Sequence, residues 1–223
     1  MARLARVVAS GVPHHVTQRG NRRQQTFFND GDYALYRQLI ADSCGAAGVG
    51  VWAYCLMPNH VHLILTPGDP DGLRAALGEA HRRYSRHVNF REGWRGYLWQ
   101  GRFASVAMDE RHLMACARYV EMNPVRARLA AAAEDWPWSS ARAHLAGAGD
   151  GLVDIRPLLD RAPDWRGLLD SALSQADYEA LRRGERTGRP LGAADFVTRL
   201  EEQLGRRLAP QAPGRKPAGA ISV

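Results

Sequence analysis

"GVWAYCLMPNHVHLILTP", residues 50–67, reads as two apolar runs that meet at a Met57-Pro58-Asn59 corner. Short runs rich in Val, Leu, Ile and aromatic residues, divided only by a turn, predict an antiparallel hairpin. The second run carries His60 and His62 with Val61 between them. Alternate side chains of a strand share a face, so both imidazoles are expected to project together while Val61 points into the core. Histidines on strands are often core residues satisfied by backbone hydrogen bonds. The other reading is half of a metal site, two neutral imidazoles that need a third ligand from elsewhere in the fold.

Around this hairpin the chain alternates strand and helix signals. A strand is expected near residues 14–18, broken at Gly20-Asn21 into a basic turn. "DYALYRQLIADSCGAAG" has apolar residues at helical spacing. "DPDGLRAALGEAHRRYSRHVNF" reads as a second helix that Asp69 or Asp71 could cap. "LWQGRFASVAMD" supplies another strand, and "ERHLMACARYVEMNPVRARLA" a third helix that Pro124 should bend or divide. The order strand, helix, strand, strand, helix, strand, helix is that of the split βαβ arrangement. It predicts an α+β, ferredoxin-like antiparallel sheet with helices on one face. Residues 1–146 are expected to form this domain. Residues 147–208 read as a helical C-terminal extension, either DNA-binding or packing, with a helix from about Ala194. The Pro/Gly-rich residues 209–223 are expected to be a disordered tail.

Composition bounds the partners. The 223 residues carry a net charge of +7, and Lys216 is the sole lysine, so the basic character is that of arginine. Arginine grips phosphate with a planar fork, and the balance favours an anionic partner, nucleic acid first. Arg19, Arg22 and Arg23 fall on the turn after the first strand, and Arg82, Arg83 and Arg86 on one face of the second helix. Arg102 precedes the last core strand and Arg126 follows the Asn123-Pro124 corner. Together they could track a phosphate backbone. Trp94 and Trp99 could stack on an unpaired base, against the commoner fate of core burial. Cys44, Cys55 and Cys116 are widely spaced and odd in number, as expected of reduced thiols in a cytoplasmic protein. No apolar run has membrane-spanning length, and no signal peptide is expected.

A third ligand could come from the helix near residue 119. Tyr119 and Asn123 stand four residues apart, a spacing that shares a helix face. An amide oxygen suits Mg²⁺ or Mn²⁺. Pro124 disfavours helical geometry at Asn123 and weakens the shared face by part of a turn. A lone helical tyrosine is either a nucleophile or a core residue.

Five blocks, "GVPHHVTQRGNRRQ", "YCLMPNHVHLIL", "LWQGRFASVAMDE", "ARYVEMNPVRARL" and "DWPWSSARAH", resemble in matching order those of REP-associated tyrosine transposases, single-tyrosine members of the HUH transposases. The resemblance implies that His60 and His62 are the HUH metal pair and Tyr119 the nucleophile. It places Asn123 where the superfamily supplies a third polar ligand. It implies cleavage and rejoining of hairpin-bearing single-stranded DNA through a 5′-phosphotyrosine, with Mg²⁺ or Mn²⁺, by a monomer or homodimer. The alternatives are a hairpin-binding regulator that does not cut, and an unrelated hydrolase using the two histidines for a catalytic metal. Tyr119 far from both histidines would favour the hydrolase.

Overall fold

The computed structural model describes residues 6–209; most of the expected tail lies outside them. Four strands form one sheet: β1 (His14–Arg19), β2 (Val49–Met57), β3 (His60–Pro67) and β4 (Ala104–Ala107). Their order is β2-β3-β1-β4, with every neighbouring pair antiparallel. β1 and β3 are therefore central, as the split βαβ order requires. The expected hairpin corner is a turn of two residues, Pro58 and Asn59, between β2 and β3. Its carbonyls accept from the backbone of the neighbouring loop, Asn59 from Gly20 N at 2.8 Å and Pro58 from Thr26 N at 2.8 Å. The last strand is shorter than its sequence block, because residues 98–103 form irregular structure, held beside the end of β1 by a bridge between Trp99 and Gly20 and by Gln100 N donating to Arg19 O at 2.7 Å.

The pleat sorts the core. Val61, Leu63 and Leu65 point to one face, where α1 (Asp30–Ala46) and α2 (Gly72–Glu92) pack on them. Full burial of Val61 contributes about 1.5–3 kcal/mol. Asn29 caps α1 by accepting from Asp32 N, and Tyr33, Tyr36, Leu39, Ile40 and Cys44 follow at helical spacing toward the sheet. At the start of α2 the side chain of Asp71 makes no cap bond, so the expected cap is missing; Asp69 instead accepts from Asp71 N in the preceding turn. Trp99 is buried among Phe27, Tyr36, His81 and Tyr84, while Trp94 remains partly exposed.

The expected helices on one face are α1 and α2. The opposite face is covered by α3 (Glu110–Glu121) together with α6 (Arg156–Leu159), α7 (Trp165–Asp170) and α8 (Gln175–Thr187). Leu158, Trp165, Leu169 and Leu181 share one apolar cluster with Ala53, Cys55, Ile64 and Val106 of the sheet. Pro124 divides the third helix as expected: α3 stops at Glu121, and α4 (Asn123–Arg126) is a separate turn. α5 (Ala141–Ala146) and α9 (Ala194–Leu204) complete the described helices, α9 beginning where expected. Among the described residues no helix is long and apolar enough to cross a membrane. The three cysteines are buried and unpaired.

Candidate functional site

His60, His62 and Ile64 occupy the α3 side of the central strand, opposite Val61 and Leu63. On β1, Arg19 pairs with His60, Thr17 with His62 and His15 with Ile64, so these side chains share that face. His15 and His62 stack with ring centroids 5.2 Å apart, and His15 Nε2 meets His62 Nδ1 at 3.0 Å. His60 lies edge-on to His62 at 5.0 Å. Its Nδ1 donates to Asn59 Oδ1 at 2.6 Å, which fixes that tautomer and leaves Nε2 with a free lone pair.

All three imidazoles are held neutral. Burial lowers His60 to about 4, helped by Arg19 and Arg182, and lowers His15 to about 3. His62 is pushed well below its ordinary value by burial, then by His60 and His15. Neutral imidazole is the metal-ligating form.

Tyr119 belongs to this face. Its ring meets His62 edge-on at 5.6 Å and His15 at 6.0 Å. That proximity removes the ground for an unrelated hydrolase. Arg126, from α4, lies 4.6 Å over the Tyr119 ring and 5.0 Å over that of Tyr178. Arg182, from α8, stands close to the Tyr119 hydroxyl and lowers its pKa. Burial and then Glu185 raise the tyrosine pKa, while Arg182 and Arg126 pull it down. The side chain is 2% exposed, enclosed by α8.

A cleft of about 570 Å³ opens beside the histidines. His60, His62, Arg19, Arg23 and Arg102 line it from the sheet side, and Arg182, Glu185 and Arg186 from α8. Three of the expected DNA-binding arginines therefore share one wall with the histidines. Arg22 and Arg23 both adopt left-handed backbone, φ 52° and 62°, in the turn after β1. Such angles cost non-glycine residues about 1–2 kcal/mol each. Asn59 Nδ2 steadies the turn by donating to Arg23 O at 3.0 Å. Arg82, Arg83 and Arg86 lie elsewhere, on the outer side of α2, beyond the opposite face of the sheet. They border a groove with Phe90, which is 89% exposed. Asn123 is buried on α4, its Nδ2 without a hydrogen-bond partner.

Several site residues have no counterpart in the sequence reading. His15 was visible as a histidine on the first strand, in alternation with Thr17 and Arg19, but its facing strand was not. Arg182 and Glu185 stand three apart, a helical spacing whose direction only packing reveals. Glu185 comes close to His62, Oε1 to Nδ1 3.9 Å, and with His15 these offer ligand atoms all within 4.8 Å of one another. Glu185 Oε1 is buried with no hydrogen-bond partner. An orphaned carboxylate oxygen facing neutral imidazoles fits a divalent cation. A second buried carboxylate, Glu121, is structural: Ser140 Oγ, His144 Nδ1 at 2.7 Å and Trp165 Nε1 at 2.8 Å all donate to it. Two of those donors come from the stretch around "DWPWSSARAH", whose role is thus to tie α5 to α3.

A family model described as "Transposase IS200 like" matches residues 9–123. A putative REP-associated tyrosine transposase of Haemophilus influenzae is 24% identical over 116 residues, 47% of this chain and 66% of the relative. The match thus spans just under two thirds of that relative's length. Among solved structures, a REP-associated tyrosine transposase bound to a REP hairpin aligns with a TM-score of 0.57 at 24% identity. That alignment covers 70% of this chain and 90% of the other, and it shows a common fold. A putative transposase from Deinococcus radiodurans R1 aligns at 24% identity with a TM-score of 0.38, over 54% and 96% of the two chains.

Proposed function

Because the chain belongs to the IS200-like transposase family, we propose that it cleaves and rejoins single-stranded DNA beside a hairpin, with Tyr119 as nucleophile. The observation that carries this reading is the placing of the Tyr119 ring 5.6 Å from His62, on the sheet face that borders the arginine-lined cleft. The hairpin as substrate is supported by the solved relative, which holds a REP hairpin.

In this reading His60 and His62 hold Mg²⁺ or Mn²⁺, with Asn123 as a further candidate ligand. Such an ion, when bound, polarises a non-bridging oxygen of the scissile phosphate. Arg19, Arg23 and Arg102 bind the flanking phosphates and fix the strand across the cleft. Arg182 and Arg126 favour the phenolate of Tyr119, which attacks phosphorus through Oη. The P–O3′ bond breaks, the 3′ oxygen takes a proton from water, and a 5′-phosphotyrosine remains. A 3′-hydroxyl attacking that phosphorus reverses the step and releases the tyrosine. The phosphodiester energy stays in the covalent link, so no nucleotide cofactor is required.

Incubation with hairpin-bearing single-stranded DNA and Mn²⁺ should give a covalent protein–DNA adduct that disappears in Tyr119→Phe. The 2% exposure of Tyr119 favours one competing reading, a hairpin-binding regulator that does not cut. Tight hairpin binding with no adduct under any divalent ion would establish that reading instead.

A further inference from the structure

We propose that the exposed end of α2 and the loop after it form a second DNA contact, a stacking platform for the unpaired bases of a single-stranded flank that leaves the histidine cleft; this rests on the single-stranded DNA reading above. Among the described residues five large apolar side chains are exposed, and four of them belong to this place: Phe28, Phe90, Trp94 and Tyr97. Phe90 and Tyr97 are 89% and 86% exposed, so both rings stand almost wholly in water. Exposed aromatic rings gathered in one place mark a binding surface.

The local structure holds the rings in position. Gly93, left-handed at φ 66°, ends α2 and turns the chain, and Trp94 N donates to Asn89 O at 2.9 Å. Asn89 Nδ2 donates to Gly96 O at 2.9 Å and ties the loop back to the helix. Phe28 meets Trp94 edge-on at 5.7 Å. Arg82, Arg86 and Phe90 stand four apart on α2, and with Arg83 they border a groove of about 490 Å³. Glu79 holds Arg82, while Asp32 and Glu92 hold Arg91. Arg83, Arg86 and Arg95 form no ion pair among the described residues, which leaves three guanidinium groups for an anion.

Aromatic rings interleaved with unpaired arginines suit nucleic acid, the rings taking bases and the guanidinium groups phosphates. Continuity with the cleft selects a flank of the strand bound there. Residues 98–102 cross the end of β1, where Leu98 O accepts from Asn21 N at 2.8 Å and Gln100 N donates to Arg19 O at 2.7 Å. Trp99 is buried on the α2 side, whereas Gln100 and Arg102 line the cleft. Tyr97 and Gln100 are three positions apart, a reach of at most about 11 Å. A strand held by Arg102 thus meets Tyr97 as it leaves the cleft.

Fluorescence anisotropy of the full chain tests this, without divalent ion so that the DNA stays intact. Three DNAs are compared: a blunt hairpin, the hairpin with single-stranded flanks, and the same flanks without their bases. The native chain should bind the hairpin with intact flanks most tightly. Phe90→Ala and Tyr97→Ala together should weaken that complex roughly five- to hundredfold, the size of base stacking, and leave the other two unchanged. Arg83→Gln with Arg86→Gln should flatten the slope of log affinity on log salt by about 1.4, or about 0.7 for each lost phosphate contact. All four side chains are exposed, so the variants should fold, which circular dichroism checks. Undiminished affinity of the double aromatic variant for the flanked hairpin overturns the platform alone. An equal loss for the blunt hairpin moves the contact to the stem or its loop and also overturns it. A native dimer that the aromatic variant splits at unchanged DNA affinity, read by sedimentation, makes this a self-association face and overturns it as well. A native chain that binds none of the three DNAs overturns the DNA reading and the platform together. Flank-dependent loss in a chain that forms no adduct with Mn²⁺ upholds the platform and sinks cleavage.

Discussion

Tyr119 poses the sharpest residue-scale problem, because a buried phenol is reluctant to ionise. Burial and the nearby Glu185 raise its pKa, and Arg182 and Arg126 oppose them. Arg182 supplies a nearby positive charge, so Arg182→Leu removes a stabiliser of the phenolate. The pKa of Tyr119 should then rise, and the alkaline limb of the adduct-formation rate should move to higher pH. At neutral pH the rate should fall roughly tenfold for each unit of that shift. Single-turnover rates from pH 6 to 10 check this; an unmoved profile would show that Arg182 does not tune the nucleophile. The pair His60 and His62 was readable from sequence because strand alternation is local. Arg182 was not, since its meeting with Tyr119 joins helices more than sixty positions apart through packing alone.

At the scale of elements, α8 encloses Tyr119 and supplies one wall of the cleft. Gly184 lets it approach the sheet: a Cβ there would stand 3.1 Å from Val106 Cγ1 and 3.1 Å from Leu191 Cδ1. Gly184→Val overfills this contact and should cost about 1–3 kcal/mol of stability. It should also draw Arg182 away from Tyr119, so adduct yield should fall together with the melting temperature. A variant that loses stability yet keeps full adduct yield would detach α8 from the chemistry. The strands, α1 and the break at Pro124 were legible because hydrophobic period and proline chemistry act within a few residues. The seat of α8 was not. Its apolar contacts, Ala180 and Leu181 against the cluster around Ile64 and Val106, join segments over seventy residues apart. The cap on α3 has the same character: Asp109 accepts from His112 N at 2.9 Å, a local bond, but also from Ala193 N at 2.9 Å, which no pattern foretells.

The whole molecule is sensitive to acid through its buried histidines. His14 uses both ring nitrogens when neutral, donating from Nδ1 to Val12 O and accepting at Nε2 from Ala9 N. Burial lowers His14 to about 4, and His15 and His81 to about 3. Unfolded, each titrates near 6.5, so between these limits the unfolded chain binds more protons and stability rises with pH. Stability should therefore be lost as pH falls from about 6.5 toward 4, by about 1.4 kcal/mol per pH unit for each histidine. Thermal unfolding at pH 7.5, 6 and 5 reads this directly; a flat melting temperature across that window would contradict the burial of neutral imidazoles.

Charge is likewise distributed over the whole fold. Arg19, Arg23 and Arg102 border the histidine cleft, whereas Arg82, Arg83 and Arg86 stand with Phe90 beyond the opposite face of the sheet. Their sequence positions were legible, but this separation was set by the sheet between them. The central claim is that Tyr119 carries the DNA, and the most direct measurement is mass-spectrometric mapping of the nucleotide-bearing peptide after reaction with hairpin DNA and Mn²⁺. The nucleotide should be found on Tyr119 within the "ARYVEMNPVR" segment. A modified Tyr178, or an adduct that forms undiminished in Tyr119→Phe, would contradict it.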